Sequence, residues 1–338
     1  MIYALHLLER IKSNGLNFVF KGGTSLVLLL EEDNRFSIDI DIICNTDRKI
    51  LENILKKVVD SSNFKSYELD EHRSYLPGVP KAHYSFAFDS ASKGKYSGTI
   101  LLDVLIEDSI YPELIEKSIQ TKWIETYSEI NVTVPSIDAI IGDKLTAFAP
   151  NTIGIPYFKG KDRQPFSMEI CKQLYDLSKL FEKIERLDIV AKSFESFAKQ
   201  EIEYRTPKDK ESDLTPEKVL QDTIDTCLII AKRGRGTSLE KSKFIELQKG
   251  IRAFGTGFLM FGNFRIDDAI PASARIAYLS SKILHKNLSP IEYYKGEDIK
   301  ELNIENQTWS FLNRLKKQPD KSSFYYWYKT LKIMKLLD

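Results

Sequence analysis

The 338-residue sequence predicts an α+β protein in which a domain of mixed strands and helices precedes a mostly helical domain. Short segments of alternating or β-branched residues, which are typical of strands, are confined to the first part of the chain. Beyond Pro135, helical periodicity dominates to the end of the sequence. We therefore expect a first domain over residues 1–135 and a helical domain over residues 136–338.

The first predicted elements form a helix–strand–helix unit. Residues 3–11 have the apolar spacing of an amphipathic helix, and the turn residues Ser13-Asn14-Gly15 end it. The aromatic and β-branched segment 17–21 is typical of a strand that stops at a glycine pair. Thr24 is placed to cap a second helix over residues 25–31.

Three further strands and one helix are predicted in the first domain. Residues 35–42 alternate in polarity, which indicates a strand. A helix is expected over residues 47–59. Two later strands, at 83–89 and 98–107, are separated by a turn rich in Ser, Lys and Gly at 92–98.

Composition excludes several classes of protein. Contents of 42% hydrophobic and 29% charged residues are those of a globular protein with a buried core. The net charge of +1 means that any nucleic-acid-binding surface must be local. Cys44, Cys171 and Cys227 are far apart, which predicts neither disulfides nor a zinc site. Without a bilayer-length apolar run or signal-peptide pattern, we expect a cytoplasmic protein that does not contact a membrane.

The spacing of two aspartates gives the clearest chemical signal. Ser37, Asp39 and Asp41 share one face of the predicted strand, while the isoleucines at alternate positions face a core. Carboxylates spaced at i and i+2 can hold the two cations of a phosphoryl-transfer site. Oxygen ligation favours Mg²⁺ or Mn²⁺ over zinc. The alternative is a half-exposed strand with solvated aspartates, although Asp is depleted in strands.

A glycine turn precedes this pair of aspartates. The sequence Gly22-Gly23-Thr24-Ser25 connects a predicted strand to a predicted helix. Glycines let the backbone approach a phosphate closely, and the free amides of a helix start attract anions. Such a turn alone is usually only a tight connection. Next to the two aspartates it predicts a phosphate cradle beside metal ligands, with Thr24 and Ser25 as hydroxyl donors.

Asp103 interrupts an otherwise apolar predicted strand. A buried carboxylate without a partner is strongly unfavourable or becomes protonated, so Asp103 should face a cation or a hydrogen-bond donor. We expect it to be a third metal ligand or a general base. The alternative is that a neighbouring Lys or Arg neutralises it without any role in catalysis.

These segments together resemble a known family. Lys21-Gly-Gly-Thr-Ser-Leu26, Arg35-Phe-Ser-x-Asp39-Ile-Asp41 and Asp103 resemble the polymerase-β-type nucleotidyltransferase superfamily, and more narrowly the AbiEii/MenT group of bacterial toxins. The resemblance covers about residues 15–180. It implies a polymerase-β-like nucleotidyltransferase domain with a mixed sheet, followed by a mostly helical domain. It also implies an enzyme that takes an NTP with Mg²⁺ or Mn²⁺.

Two positions in the helical domain are expected to complete the active site. Lys144 interrupts the apolar stripe of a predicted helix, and the resemblance makes it a triphosphate contact, although it could instead extend to solvent. Asp176 matches the second acid of the family's K-D-x-x-D-L segment, where Gln173 replaces the first. The alternative for Asp176 is a surface ion pair with Lys172, four residues earlier.

The expected reaction is attack of an acceptor hydroxyl on the α-phosphate of the NTP. The resemblance implies the 3′ end of a tRNA as acceptor, growth arrest as the outcome, and control by a neighbouring antitoxin, with or without direct contact. Basic stretches at 159–163 and 232–236 favour RNA, whereas the aromatic residues 324–328 are expected in the core. A small molecule such as an aminoglycoside or a protein hydroxyl is the alternative acceptor. A binding protein that has lost the chemistry is the alternative from another class.

Overall fold

The computed structural model describes residues 1–30, 35–74, 79–91, 97–121, 124–126, 129–207 and 212–337. The chain forms two compact units, Met1–Ser136 and Ile137–Asp338, so the division falls one residue from the boundary expected from the sequence. The predicted α+β class is confirmed, because a seven-stranded mixed sheet is followed by a series of helices. Most of the predicted turn at 92–98 and the predicted helix end at residue 31 lie outside the described residues.

The first unit contains one sheet and four helices among its described residues. The helices are α1 (Ile2–Ser13), α2 (Gly22–Leu29), α3 (Arg48–Asp60) and the single turn α4 (Glu71–Ser74). The strands are β1 (Val19–Lys21), β2 (Ile40–Ile43), β3 (Phe64–Leu69), β4 (Lys81–Asp89), β5 (Ser97–Leu105), β6 (Leu114–Ser118) and β7 (Asn131–Pro135). The strand order is β3-β4-β5-β2-β1-β7-β6.

The centre of this sheet is built from strands that come from distant parts of the sequence. β2 pairs in parallel with β5 and antiparallel with β1, and β1 pairs in parallel with β7. One face of β2 and β5 is apolar and buried, with Ile40, Ile42, Leu102 and Val104 all nearly inaccessible to solvent. Because side chains alternate along a strand, the residues between them project from the opposite face.

Two local expectations for this unit are wrong. The second helix begins at Gly22 with Lys21 at its N-cap position, so Thr24 lies in the first turn and is not the cap. The strand expected at 35–42 begins only at Ile40, and Ile38 is exposed rather than packed in the core. The edge strands β3 and β6 and the short strand β7 were not expected. In β3 and β6, consecutive polar residues hide the period-2 signal that a half-buried edge strand otherwise gives. β7 does alternate, but it is only five residues long.

The second unit is mostly helical. Its elements are α5 (Ile137–Ala147), the hairpin β8 (Phe158–Lys159) and β9 (Gln164–Pro165), α6 (Ser167–Phe181), α7 (Leu187–Arg205), α8 (Pro216–Lys232), α9 (Ser238–Gly257), α10 (Ile266–Leu284), a 3-10 helix (Ser310–Lys317) and α11 (Ser322–Ile333). α10 packs against α6, α8 and α11. The aromatic residues Phe324 to Trp327 of α11 are buried, as expected for core packing.

The three cysteines are free and buried. Burial raises the pKa of the Cys44 thiol to about 11 and raises the pKa values of the Cys171 and Cys227 thiols as well. Because the thiolate is the reactive form, these side chains act as small apolar core residues. No helix among the described residues is long and apolar enough to cross a membrane.

Candidate active site

The glycine turn at the start of α2 lies directly against the aspartate segment. Gly22 has a positive φ of 75°, and a Cβ at this position would meet Asp41 Oδ2 at 2.1 Å. A Cβ on Gly23 would meet a guanidinium nitrogen of the buried Arg35 at 2.3 Å. Gly22 therefore requires glycine on two grounds, its positive φ and its approach to Asp41, whereas a side chain at Gly23 would have to displace the Arg35 guanidinium.

Hydroxyl groups of the turn are used to hold this segment in place. Thr24 Oγ1 lies 2.7 Å from Ser37 Oγ and 2.5 Å from the Asp39 carbonyl oxygen, and Ser25 Oγ donates to the Gly22 carbonyl at 2.9 Å. Thr24 and Ser25 are fully buried, and Ser37 is nearly so. These hydroxyls therefore fix the turn next to the aspartate segment. The amides of the first turn of α2 are the groups that a helix start offers to an anion.

A row of four polar side chains crosses the sheet on the face opposite the apolar core. Lys21 on β1 pairs with Asp41 on β2, Asp41 with Asp103 on β5, and Asp103 with His83 on β4. Residues paired across neighbouring strands share a face, and neighbouring strands are about 4.8 Å apart. Asp41 and Asp103, which are 62 positions apart in the sequence, are thus brought side by side.

Asp103 has two basic neighbours. His83 Nδ1 lies 2.6 Å from Asp103 Oδ1, and an Arg73 guanidinium nitrogen lies 3.7 Å from Oδ2. The sequence interpretation missed His83. The available signal was the alternation around it, since Ala82 and Tyr84 are buried and His83 projects from the other face. Only the register of β4 on β5 identifies its partner.

The expected aspartates differ in how firmly the sheet places them. Asp41 and Asp103 lie on strands, whereas Asp39 immediately precedes β2 and is tied to α2 through its carbonyl oxygen. Adjacent carboxylates supply the oxygen donors that Mg²⁺ and Mn²⁺ prefer, so this pair fits a divalent cation. Within the described parts of the chain, no group of three or more His, Cys, Asp or Glu side chains is already clustered as a metal site.

The second unit contains a buried ion pair at the other two predicted positions. Lys144 Nζ on α5 lies 2.7 Å from Asp176 Oδ2 on α6 and 3.2 Å from Gln173 Oε1. Lys144 is 5% exposed and Asp176 is 1% exposed. Lys144 therefore does not extend to solvent. Asp176 does not form the surface ion pair with Lys172, which instead lies 3.4 Å from Glu169. Gln173, in place of an acid, keeps a hydrogen bond to Lys144 without adding a charge.

Comparison with known proteins identifies the family. The family profile described as the nucleotidyl transferase AbiEii toxin of type IV toxin–antitoxin systems matches residues 6–233, about two thirds of the chain. The chain belongs to the AbiEii nucleotidyltransferase toxin family. Membership identifies an enzyme class, nucleotidyltransferase, and implies an NTP substrate and an antitoxin partner. The matched region contains every candidate residue from Gly22 to Asp176, whereas α9, α10 and α11 lie beyond it.

Solved structures of two nucleotidyltransferases resemble this AbiEii-family chain. One, a putative nucleotidyltransferase from H. pylori, is 16% identical with a TM-score of 0.41, and the match covers 87% of this chain and 98% of the H. pylori chain. The toxin MenT4 of Mycobacterium tuberculosis H37Rv has a TM-score of 0.45 at 13% identity, over 74% of this chain and 80% of that one. None of the curated proteins matches the sequence.

Proposed function

We propose that this AbiEii-family protein transfers a nucleoside monophosphate from an NTP to a hydroxyl at the 3′ end of a tRNA, with Mg²⁺ or Mn²⁺ as cofactor. The observation that carries the proposal is the register that sets Asp41 beside Asp103, with the Gly22 backbone against Asp41. An anionic pair beside a helix start matches the needs of phosphoryl transfer. The carboxylates attract divalent ions, and the helix amides attract phosphate.

The proposed reaction breaks one bond and forms another at the α-phosphorus of the NTP. The acceptor oxygen bonds to this phosphorus, the bond to the bridging oxygen of the β-phosphate breaks, and pyrophosphate leaves. Asp39, Asp41 and Asp103 would hold the divalent ions, which neutralise the charge that develops on the phosphate oxygens. Asp103 is alternatively the group that takes the proton of the acceptor hydroxyl.

The remaining roles belong to groups that hold the triphosphate. The amides of Gly22 and Gly23 would bind phosphate at the start of α2, and Thr24, Ser25 and Ser37 keep that turn in place through their hydroxyls. In the second unit, we propose that Lys144 neutralises triphosphate charge and that Asp176 orients its ammonium group. The 2.7 Å contact between these two side chains supports the orienting role of Asp176, and the role of Lys144 rests on the family resemblance.

Exposed cationic loops support RNA as the acceptor. The hairpin formed by β8 and β9 exposes Lys159, Lys161 and Arg163. The Lys159 ammonium lies 5.3 Å from the ring centroid of Phe166, and the Arg163 guanidinium lies 4.8 Å from that of Phe158. Such a combination of cations and aromatic rings suits a nucleic-acid backbone and its bases.

The test is incorporation of label from each NTP, with Mg²⁺, into total tRNA and separately into an aminoglycoside. Asp41→Asn should abolish incorporation while the protein stays folded, because one charge of the paired carboxylates is lost. Asp89→Asn is the matched control, since Asp89 lies on the same sheet and pairs with Lys65 at the surface. Full activity in Asp41→Asn would refute the site. Label in the aminoglycoside alone would refute the RNA acceptor, and NTP binding without pyrophosphate release would indicate a binding protein.

A further inference from the structure

His83 is one of the two basic neighbours of Asp103, and the proposed reaction gives it no role. Its Nδ1 atom lies 2.6 Å from Asp103 Oδ1, and its side chain is only 13% exposed. A carboxylate that binds a cation can only accept a hydrogen bond, so in the metal-ligand role proposed for Asp103 the donor of this contact is Nδ1. One oxygen of Asp103 is thereby fixed by a short hydrogen bond.

The backbone of His83 is anchored on both sides. Its amide donates to Ser74 Oγ at 2.9 Å, and its carbonyl accepts from the Asp70 amide at 2.8 Å. Ser74 Oγ in turn donates to the Asp70 carbonyl at 2.6 Å. These bonds tie the start of β4 to the short helix α4. The imidazole is therefore presented to Asp103 from a fixed position, whereas Arg73, 3.7 Å from Oδ2, is 46% exposed.

We propose that His83 is a positioning residue that orients the Asp103 carboxylate for a divalent cation. The inference rests on the proposed function, in which Asp103 is a metal ligand beside Asp41. A hydrogen bond to one oxygen fixes the torsion of the carboxylate, so less conformational freedom is lost when the other oxygen binds an ion. Hydrogen-bond partners of metal ligands typically change metal affinity by about 10–100-fold when they are removed.

The test is direct measurement of Mn²⁺ affinity by electron paramagnetic resonance, on the full-length protein without NTP or RNA. His83→Leu removes the donor, and we expect its Mn²⁺ affinity to fall by about 10–100-fold. His83→Asn is the conservative variant, because its side-chain amide places a donor near the position of Nδ1. It should recover most of the affinity. Asp89→Asn, distant in the pairing register, should bind Mn²⁺ as the unmodified protein does.

Two outcomes would overturn the inference: a folded His83→Leu protein with unchanged Mn²⁺ affinity, or a His83→Asn protein that binds no better than His83→Leu. If His83→Leu does not fold, His83→Phe takes its place, because it keeps a planar ring but removes the donor. Unchanged Mn²⁺ affinity in His83→Phe would then overturn the inference. A transfer assay separates this inference from the proposed function. Mn²⁺ binding that depends on His83, in a protein that transfers no nucleotide, would refute the function and leave the positioning role.

Discussion

The buried pair of Lys144 and Asp176 allows a quantitative prediction. Asp176→Asn keeps the shape of the side chain but leaves the Lys144 ammonium, only 5% exposed, without its counter-charge. Removing one member of a buried ion pair typically costs about 3–5 kcal/mol, because the remaining charge is desolvated and unpaired. At about 2–4 °C per kcal/mol for a unit of this size, we expect the melting temperature to fall by about 6–20 °C.

Glu169→Gln provides the matched control on the same helix. Glu169 pairs with Lys172 at 3.4 Å, and the two side chains are 30% and 17% exposed. Loss of such a partly exposed pair should cost only about 0–1 kcal/mol. Urea unfolding followed by tryptophan fluorescence measures both variants, since Trp327 lies in the core of the same unit. A cost below about 1 kcal/mol for Asp176→Asn, or one equal to that of Glu169→Gln, would refute the reasoning.

A double variant separates stability from function at this pair. Replacing both members by apolar residues, as in Lys144→Met with Asp176→Leu, removes the unpaired charge, and such replacements are often neutral or stabilising. We therefore expect the double variant to unfold at a higher urea concentration than Asp176→Asn. It should still incorporate no nucleotide, because the proposed contact with the triphosphate is gone. Activity in the double variant would contradict the role of Lys144.

Three further predictions concern other parts of the chain. Gly22→Ala should abolish nucleotide incorporation, because the added Cβ would meet Asp41. Gly15→Ala is the control, since Gly15 also has a positive φ but lies in open space, and thermal unfolding should show a cost of only about 1–2 kcal/mol from backbone strain. Thr24→Val should lower the free energy of unfolding, measured with urea, by about 1 kcal/mol, because the hydrogen bonds of the hydroxyl to Ser37 and Asp39 are lost. Thr24→Ser keeps the hydroxyl and should not lower it. The Lys232 ammonium and the Thr237 amide lower the pKa of Glu240 from 4.5 to about 2. The ionised carboxylate therefore stabilises the fold above about pH 4.5, and this stabilisation is lost as the pH falls towards 2. The difference in unfolding free energy between the unmodified protein and Glu240→Gln should therefore shrink over that range, and a constant difference would contradict the assignment.

The sequence by itself predicted the α+β class, which the structure confirms, and it singled out the residues of the proposed site. The alternation of side chains along a strand is a local property. The sequence therefore predicted that Asp41 and Asp103 project from the face of their strands opposite the core. The glycine pair was also a local signal, because glycine adopts the positive φ found at Gly22 without the strain that a side chain adds. Asp176, one helical turn after Lys172, had two possible interpretations from spacing alone.

Tertiary structure decided which of these residues meet. The parallel register of β2 on β5 places Asp41 beside Asp103, and the antiparallel register of β4 adds His83, whose partner no local pattern in the sequence identifies. Burial likewise decided that Asp176 bonds to Lys144. The physical reason is that strand register and helix packing depend on contacts between residues far apart in the chain, whereas sequence patterns report only which way each side chain faces.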